Sequence, residues 1–251
     1  MIDSPANIFD ERRAQLLADA TNPVSRAILD AMPRMVSHPI PQAHMSFDGR
    51  DVSGWCAQDF DLRGALGCTP GEGYILNRAA TLAKPRFMLE IGSYVGWSSA
   101  HLLYGNQLKL TCVDSLREGT GVLLDEPNAH IVLRFHENMR TLDMESRVTL
   151  IPEESPACLE HIAPEGGWHF VFLDGWHFDR QPLRDIQGLL PFMHQHGVVF
   201  MHDLGLFDVD EAATYLVEQG WTRHDFVTPN SLGAFWKVEP RWWKKFLKEI
   251  A

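Results

Sequence analysis

A chain of 251 residues with 45% hydrophobic content and a formal net charge of −11 has the make-up of a globular protein: one large domain, or a domain with an added arm. The acidic balance argues against a broad phosphate-binding surface, so nucleic acid is not an expected partner. No apolar run approaches the roughly 20 residues that cross a bilayer, the opening MIDSPANIFDERRAQ lacks a signal-peptide pattern, and Cys56, Cys68, Cys112 and Cys158 form no CxxC pair; the expectation is a cytoplasmic protein with free thiols, no membrane contact and no cysteine-built zinc site.

Residues 1–68 are expected to form an arm or cap. ERRAQLLADA and NPVSRAILDAM have helical spacing, while the stretch 38–73 is rich in Gly, Pro and Asp and has little periodicity. A helix should follow, capped by Thr69, with Pro70 at its first position and Ile75, Leu76, Ala79 and Leu82 as its apolar stripe. From Lys84 the rhythm becomes strand and helix in turn. RFMLEIG, KLTCVD, RVTLIPE, FVFLD and GVVFMHD read as strands. WSSAHLLYG, ENMRTLDM, SPACLEHIA, PLRDIQGLLPFM and DEAATYLVEQG read as the helices after them. His194 and His196 in MHQHG read as a solvated helix end. HDFVTPNSLGAFWKV reads as two strands around a Pro-Asn-Ser turn, so one strand at the end should be antiparallel. The tail, 241–251, is an amphipathic basic helix expected to dock through Trp242, Trp243 and Phe246 rather than on a membrane. Strands alternating with helices of about ten residues imply a parallel sheet covered on both faces over residues 69–240.

Ligands of such sheets sit beyond the carboxyl ends of the strands, near the point where strand order reverses. The residues at those ends are Glu90 to Gly96, then Asp114, then Glu153-Glu154-Ser155, then Asp174 to His177, then His202-Asp203. The first turn, GSYVG, lacks a full GxGxxG, and no GKS or GKT is present, so a phosphate cradle is unsupported. Gly92 allows a tight turn, and Gly96 lets the backbone come close to a ligand. A carboxylate at Asp114 can accept both hydroxyls of a ribose, which suits NAD or a nucleoside equally.

Taken together, LEIGSYVGWSSAHLL, Asp114, IPEESPACL and FVFLDGWH with GVVFMHD resemble the class I methyltransferases that use S-adenosylmethionine. The first motif is similar to that of catechol O-methyltransferase-like enzymes. The last pair is similar to the macrolide sugar O-methyltransferases and cephalosporin-hydroxylase-like proteins. The resemblance spans about residues 69–238. It implies a Rossmann-like, doubly wound, mostly parallel seven-stranded sheet with an antiparallel last strand, behind an N-terminal helical arm. It implies that Gly92, Ser93, Tyr94, Gly96 and Ser98 surround the methionine end of the cofactor, with Glu90 supporting the turn. Asp114 and Ser115 would take the ribose, although catechol-type enzymes place Glu at the first of these. Glu154 and Ser155 would flank the adenine, and Trp176 would stand beside cofactor and acceptor.

The same resemblance implies transfer of a methyl group to a hydroxyl of a small molecule of natural-product, sugar or phenol type, by a homodimer. Asp174, with a His three residues on and a pair 28 and 29 residues on, matches the spacing of a metal site: Asp174, His202 and Asp203 as ligands, with His177 as general base and Asp174 beside it as a catalytic group. His202 stands where the related enzymes carry an acid. Magnesium prefers oxygen donors, so this set suits manganese, iron or zinc; otherwise His202 is no ligand, or no metal binds. The alternatives are a metal-independent N- or C-methyltransferase, a non-catalytic binder of S-adenosylmethionine, or an NAD-dependent oxidoreductase. Acceptor specificity is expected in the 38–73 stretch and the 116–134 loop, the latter including the acidic LLDEPNAH.

Overall fold

The computed structural model describes residues 22–31, 46–47, 50–51, 68–116, 118–119, 122–123 and 129–250. The expected helix at ERRAQLLADA, most of the 38–73 stretch, Cys56 and most of LLDEPNAH lie outside the described residues. Seven strands form one sheet: β1 Met88–Ile91, β2 Leu110–Val113, β3 Val148–Ile151, β4 Trp168–Leu173, β5 Met193–Met201, β6 Thr222–Asp225 and β7 Gly233–Trp236. Their spatial order is β6-β7-β5-β4-β1-β2-β3. β1 through β5 pair in parallel, and β7 runs antiparallel between β5 and β6. The antiparallel strand is thus last in sequence but interior in the sheet, because the short connection after β6 folds the chain straight back between its neighbours. Strand order reverses between β1 and β4, which pair directly. Two further two-stranded hairpins join 46–47 to 50–51 and 118–119 to 122–123.

Alternation along the strands divides the core into two layers. Met88, Cys112, Phe170, Phe172, Val198 and Phe200 face α1 Pro23–Ala31, α2 Pro70–Ala83, α3 Trp97–Leu103 and α8 Trp243–Ile250. Leu89, Ile91, Val171, Leu173, Val199 and Met201 face α5 Leu159–Ile162, α6 Gln181–Leu189 and α7 Phe207–Glu218. A further helix, α4 Ala129–Thr141, places Phe135 and Met139 against the first layer. It starts earlier than ENMRTLDM suggests, and α5 is a single turn rather than the whole of SPACLEHIA. His194 and His196 do not end a helix. They belong to β5, where the register jumps from Trp168↔Met193 to Phe170↔Val198 and the intervening residues bulge out of the ladder.

α2 starts as its sequence dictates. The Thr69 side chain accepts from the Glu72 backbone N–H, the Glu72 carboxylate accepts from the Thr69 N–H, and Pro70 opens the helix. α8 lies against α2, with Trp243 and Phe246 buried and Trp242 packed alongside. Each of the two buried aromatics contributes on the order of 2 kcal/mol by area. An Arg78–Glu249 ion pair closes the contact. No helix among the described residues is long and apolar enough to cross a membrane, and Cys68, Cys112 and Cys158 are free and buried.

Candidate active site

Beyond the carboxyl ends of β1, β2 and β3 lies a cavity of about 250 Å³. Gly92, Asp114, Ser115, Glu153, Glu154, Ser155, Gly175 and Trp176 line it, with Asp179, Gln181 and Arg184 from the approach to α6. Gly92 has φ +88°, and a Cβ there would come within 2.1 Å of the Asp174 carbonyl oxygen. Only glycine lets the end of β1 pass the end of β4 this closely. The Asp114 carboxylate accepts from the backbone N–H groups of Ser93 (2.8 Å), Tyr94 (2.7 Å) and Leu116 (2.8 Å). Burial nevertheless raises its pKa, against those three donors. A carboxylate offers about four acceptor directions, so Asp114 shapes the turn and keeps capacity for a ligand hydroxyl. Ser155 donates to Asp185 at 2.7 Å, and the Gln181 amide donates to both Asp185 and the Ser155 carbonyl, each at 2.7 Å. Burial lifts the Asp185 pKa to about 6, although these hydrogen bonds oppose the rise.

Other residues of the first turn face away from this cavity. Glu90 lies fully buried in the α2 and α3 layer, where it accepts from Ser99 and from the Cys112 thiol. Burial lifts its pKa to about 7. Ser98 supports the same carboxylate and is buried. Gly96 has φ +87°, and a Cβ there would meet Met139 of α4 at 2.7 Å. Tyr94 packs beside Val95, Leu116 and Ile131. Ser93 is buried, and its hydroxyl has no hydrogen-bond partner.

Across the point where strand order reverses, β4 and β5 end in a cluster of charge. Asp174 Oδ1, His177 Nε2 and Asp203 Oδ2 converge, with all three atoms within 4.8 Å of one another. His177 Nε2 stands 3.4 Å from each carboxylate but is buried without a hydrogen bond to either. Burial disfavours charge on His177, yet Asp174 and Asp203 outweigh it and raise its pKa. Behind this trio lies His202, 2% exposed. Alternation places it on the same face as Val198 and Phe200, the face that α2 covers. Its Nδ1 is 3.1 Å from Asp174 and 3.3 Å from Asp203, and its Nε2 is 3.1 Å from Glu72. Carboxylates thus face both ring nitrogens, an arrangement that favours the charged imidazolium form. Burial opposes that charge, but the acids hold its pKa far above the ordinary value. In return His202 overcomes the burial of Glu72, whose pKa falls to about 2, and keeps Asp174 below the usual range.

Residues 89–204 match a family model described as a methyltransferase domain. The fold is that of an O-methyltransferase from Bacillus cereus in complex with SAH (TM-score 0.57, 14% identity, 70% of this chain and 84% of that one). It is equally that of the O-methyltransferase TomG from Streptomyces achromogenes, involved in tomaymycin synthesis, in complex with SAM (0.58, 16%, 72% and 85%). Cofactor-bound Rv0187 from MTB aligns over 94% of this chain and 98% of its own (0.57, 16%). A comparison with curated proteins finds no match. Over residues 89–204 the chain thus matches a methyltransferase domain, in a fold shared with O-methyltransferases solved with SAM or SAH.

Within the methyltransferase domain, Gly92, Asp114, Ser115, Glu154, Ser155 and Trp176 are brought to one cavity, whereas Glu90, Gly96 and Ser98 are not. Asp174, His177 and Asp203 are brought together. His202 adjoins them but is not one of the converging donors, and carboxylates face both of its ring nitrogens. The group that converges is thus Asp174, His177 and Asp203, where the expected ligand set was Asp174, His202 and Asp203. Sequence reasoning missed Gln181, Arg184 and Asp185, which sit one to two turns after the motif. It also missed Glu72, whose only local signal was its place three residues after Thr69.

Proposed function

We propose that the methyltransferase domain transfers a methyl group from S-adenosylmethionine to an oxygen of a small molecule, with Asp174, His177 and Asp203 holding a divalent metal at the acceptor. One observation carries this reading: three donor atoms converge beside the cavity, and the imidazole nitrogen among them lacks a hydrogen bond although two carboxylates flank it. Two carboxylates and an imidazole suit manganese, iron or zinc better than magnesium. The chemistry such a metal would supply is a lowered pKa for an acceptor hydroxyl. Asp114 accepts a ribose hydroxyl, Trp176 and Ser155 bound the adenine side, and Gly92 keeps the two strand ends close enough to orient both reactants. The name O-methyltransferase on two structural neighbours supports oxygen as the acceptor atom. Exposed Trp176 and Phe178, edge to face at 5.2 Å, offer an apolar surface next to His177 in the chain. The expected acceptor is a natural-product hydroxyl of sugar or phenol type, and the expected assembly a homodimer.

His177 cannot be both ligand and base. Asp174 and Asp203 raise its pKa, so a metal there would compete with a proton and gain affinity as pH rises. The metal-free reading makes His177 the base and requires the same deprotonation first. Formation of S-adenosylhomocysteine from a panel of phenols and sugars, with Mn2+ or with EDTA, separates the two. Product with Mn2+ and its loss with EDTA is the expected result; turnover unchanged by EDTA would sink the metal reading.

A further inference from the structure

We infer that Glu72 is a positioning residue for this site, acting through His202; the inference rests on the donor cluster described above. Glu72 is wholly buried and contacts neither cavity nor donor. Its carboxylate joins three stretches of chain that are remote in sequence. Oε2 takes the Thr69 N–H at 2.6 Å and faces His202 Nε2 at 3.1 Å; Oε1 takes the Asn230 N–H at 2.9 Å. Asn230 in turn accepts from the Asp203 N–H at 3.0 Å. Glu72 therefore grips Asp203 by two routes, through the His202 ring and through the turn between β6 and β7.

A helix cap alone does not account for this arrangement. The capping bond to Thr69 satisfies an end of α2 at the surface layer, and an exposed glutamate would serve it as well. Glu72 instead carries its charge to the far nitrogen of a buried ring whose near nitrogen sits between Asp174 Oδ1 and Asp203 Oδ2. Those are the same two oxygens that converge with His177. Asp203 itself is held at φ +55°, a conformation that a non-glycine residue keeps only when its surroundings impose it. The ring fixes the separation of the two oxygens, and Glu72 fixes the ring.

Glu72→Gln tests this: the amide keeps one oxygen for the Thr69 or the Asn230 N–H, places an NH2 group at the other position, and removes the charge that faces His202. Full-length wild type and E72Q would be crystallised, and each titrated with S-adenosylhomocysteine and, separately, with Mn2+. The expected result is cofactor affinity within about twofold of wild type, the three donor atoms spread beyond their present spacing, and Mn2+ affinity at least tenfold weaker. Glu72→Asp should restore part of that loss, and in a His202→Asn background E72Q should add nothing. An unchanged donor spacing in E72Q overturns the inference, as does equal loss of cofactor and Mn2+ binding, which would mean that Glu72 merely supports the fold. Should wild type bind no Mn2+, the metal reading fails, and the donor spacing in the two crystal structures still decides the role of Glu72.

Discussion

The two halves of the site, on either side of the strand reversal, are built by different means. The cavity side uses backbone: Gly92 at a close crossing, and N–H groups of consecutive residues turned onto Asp114. Its parts lie close together in the chain. The donor side uses charge: Glu72, Asp174, His177, His202 and Asp203, gathered across 132 positions and held by buried ion pairs. Backbone geometry resists change in one residue but is indifferent to pH. A buried charge network tolerates shape change but collapses when one member is removed, because the rest are left uncompensated. The same domain thus contains a rigid binding half and an electrostatically tuned half.

The contrast can be broken first at Gly92. Gly92→Ala forces a Cβ onto the Asp174 carbonyl and a disfavoured φ. It should cost more than about 4 kcal/mol and abolish S-adenosylhomocysteine binding by calorimetry. A variant that folds and binds normally would show that the crossing relaxes easily. Next in size is His202→Ala, which strands Glu72 and Asp174 as buried charges. A loss of about 3–5 kcal/mol is expected in urea unfolding, while the cofactor cavity, which His202 does not line, keeps its affinity in the folded fraction.

Glu90 sharpens the comparison from the other side, as a titrating group behind the backbone-built half. Its folded pKa, raised by burial from 4.5 to about 7, means that folding takes up a proton. Relative to Glu90→Gln, wild-type stability is greatest below pH 4.5 and falls by about 3 kcal/mol as pH rises to 7. Parallel unfolding curves at pH 5, 6 and 7 check the sign; a flat difference would mean that Glu90 stays ionised throughout. The smallest effect is expected at Asp203, the most exposed of the three donors. Asp203→Asn should weaken Mn2+ binding by tenfold to a hundredfold and leave the S-adenosylhomocysteine affinity unchanged.

Much of this was legible along the chain. The alternation of apolar runs with helical spacing implied a parallel sheet, and the glycine turn followed by Asp114 implied a nucleoside site. Asp174, His177 and Asp203 stood out by spacing. His202 misled because spacing cannot say which face of a strand a ring occupies or what covers it. Gly96 was not assignable from sequence, because a glycine set by φ and helix packing looks the same there as one that admits a ligand. His194 and His196 misled because a bulged strand start carries the same polar residues as a helix end.

Local order in this protein is therefore a property of its sequence: hydrophobic period, caps and turn glycines act over a few residues, where chain connectivity keeps the relevant atoms together. The raised pKa of His202 is not. It depends on Glu72 lying 130 residues away yet 3.1 Å from the ring, a distance set only when α2 packs on β5 and excludes the water that would otherwise solvate both charges.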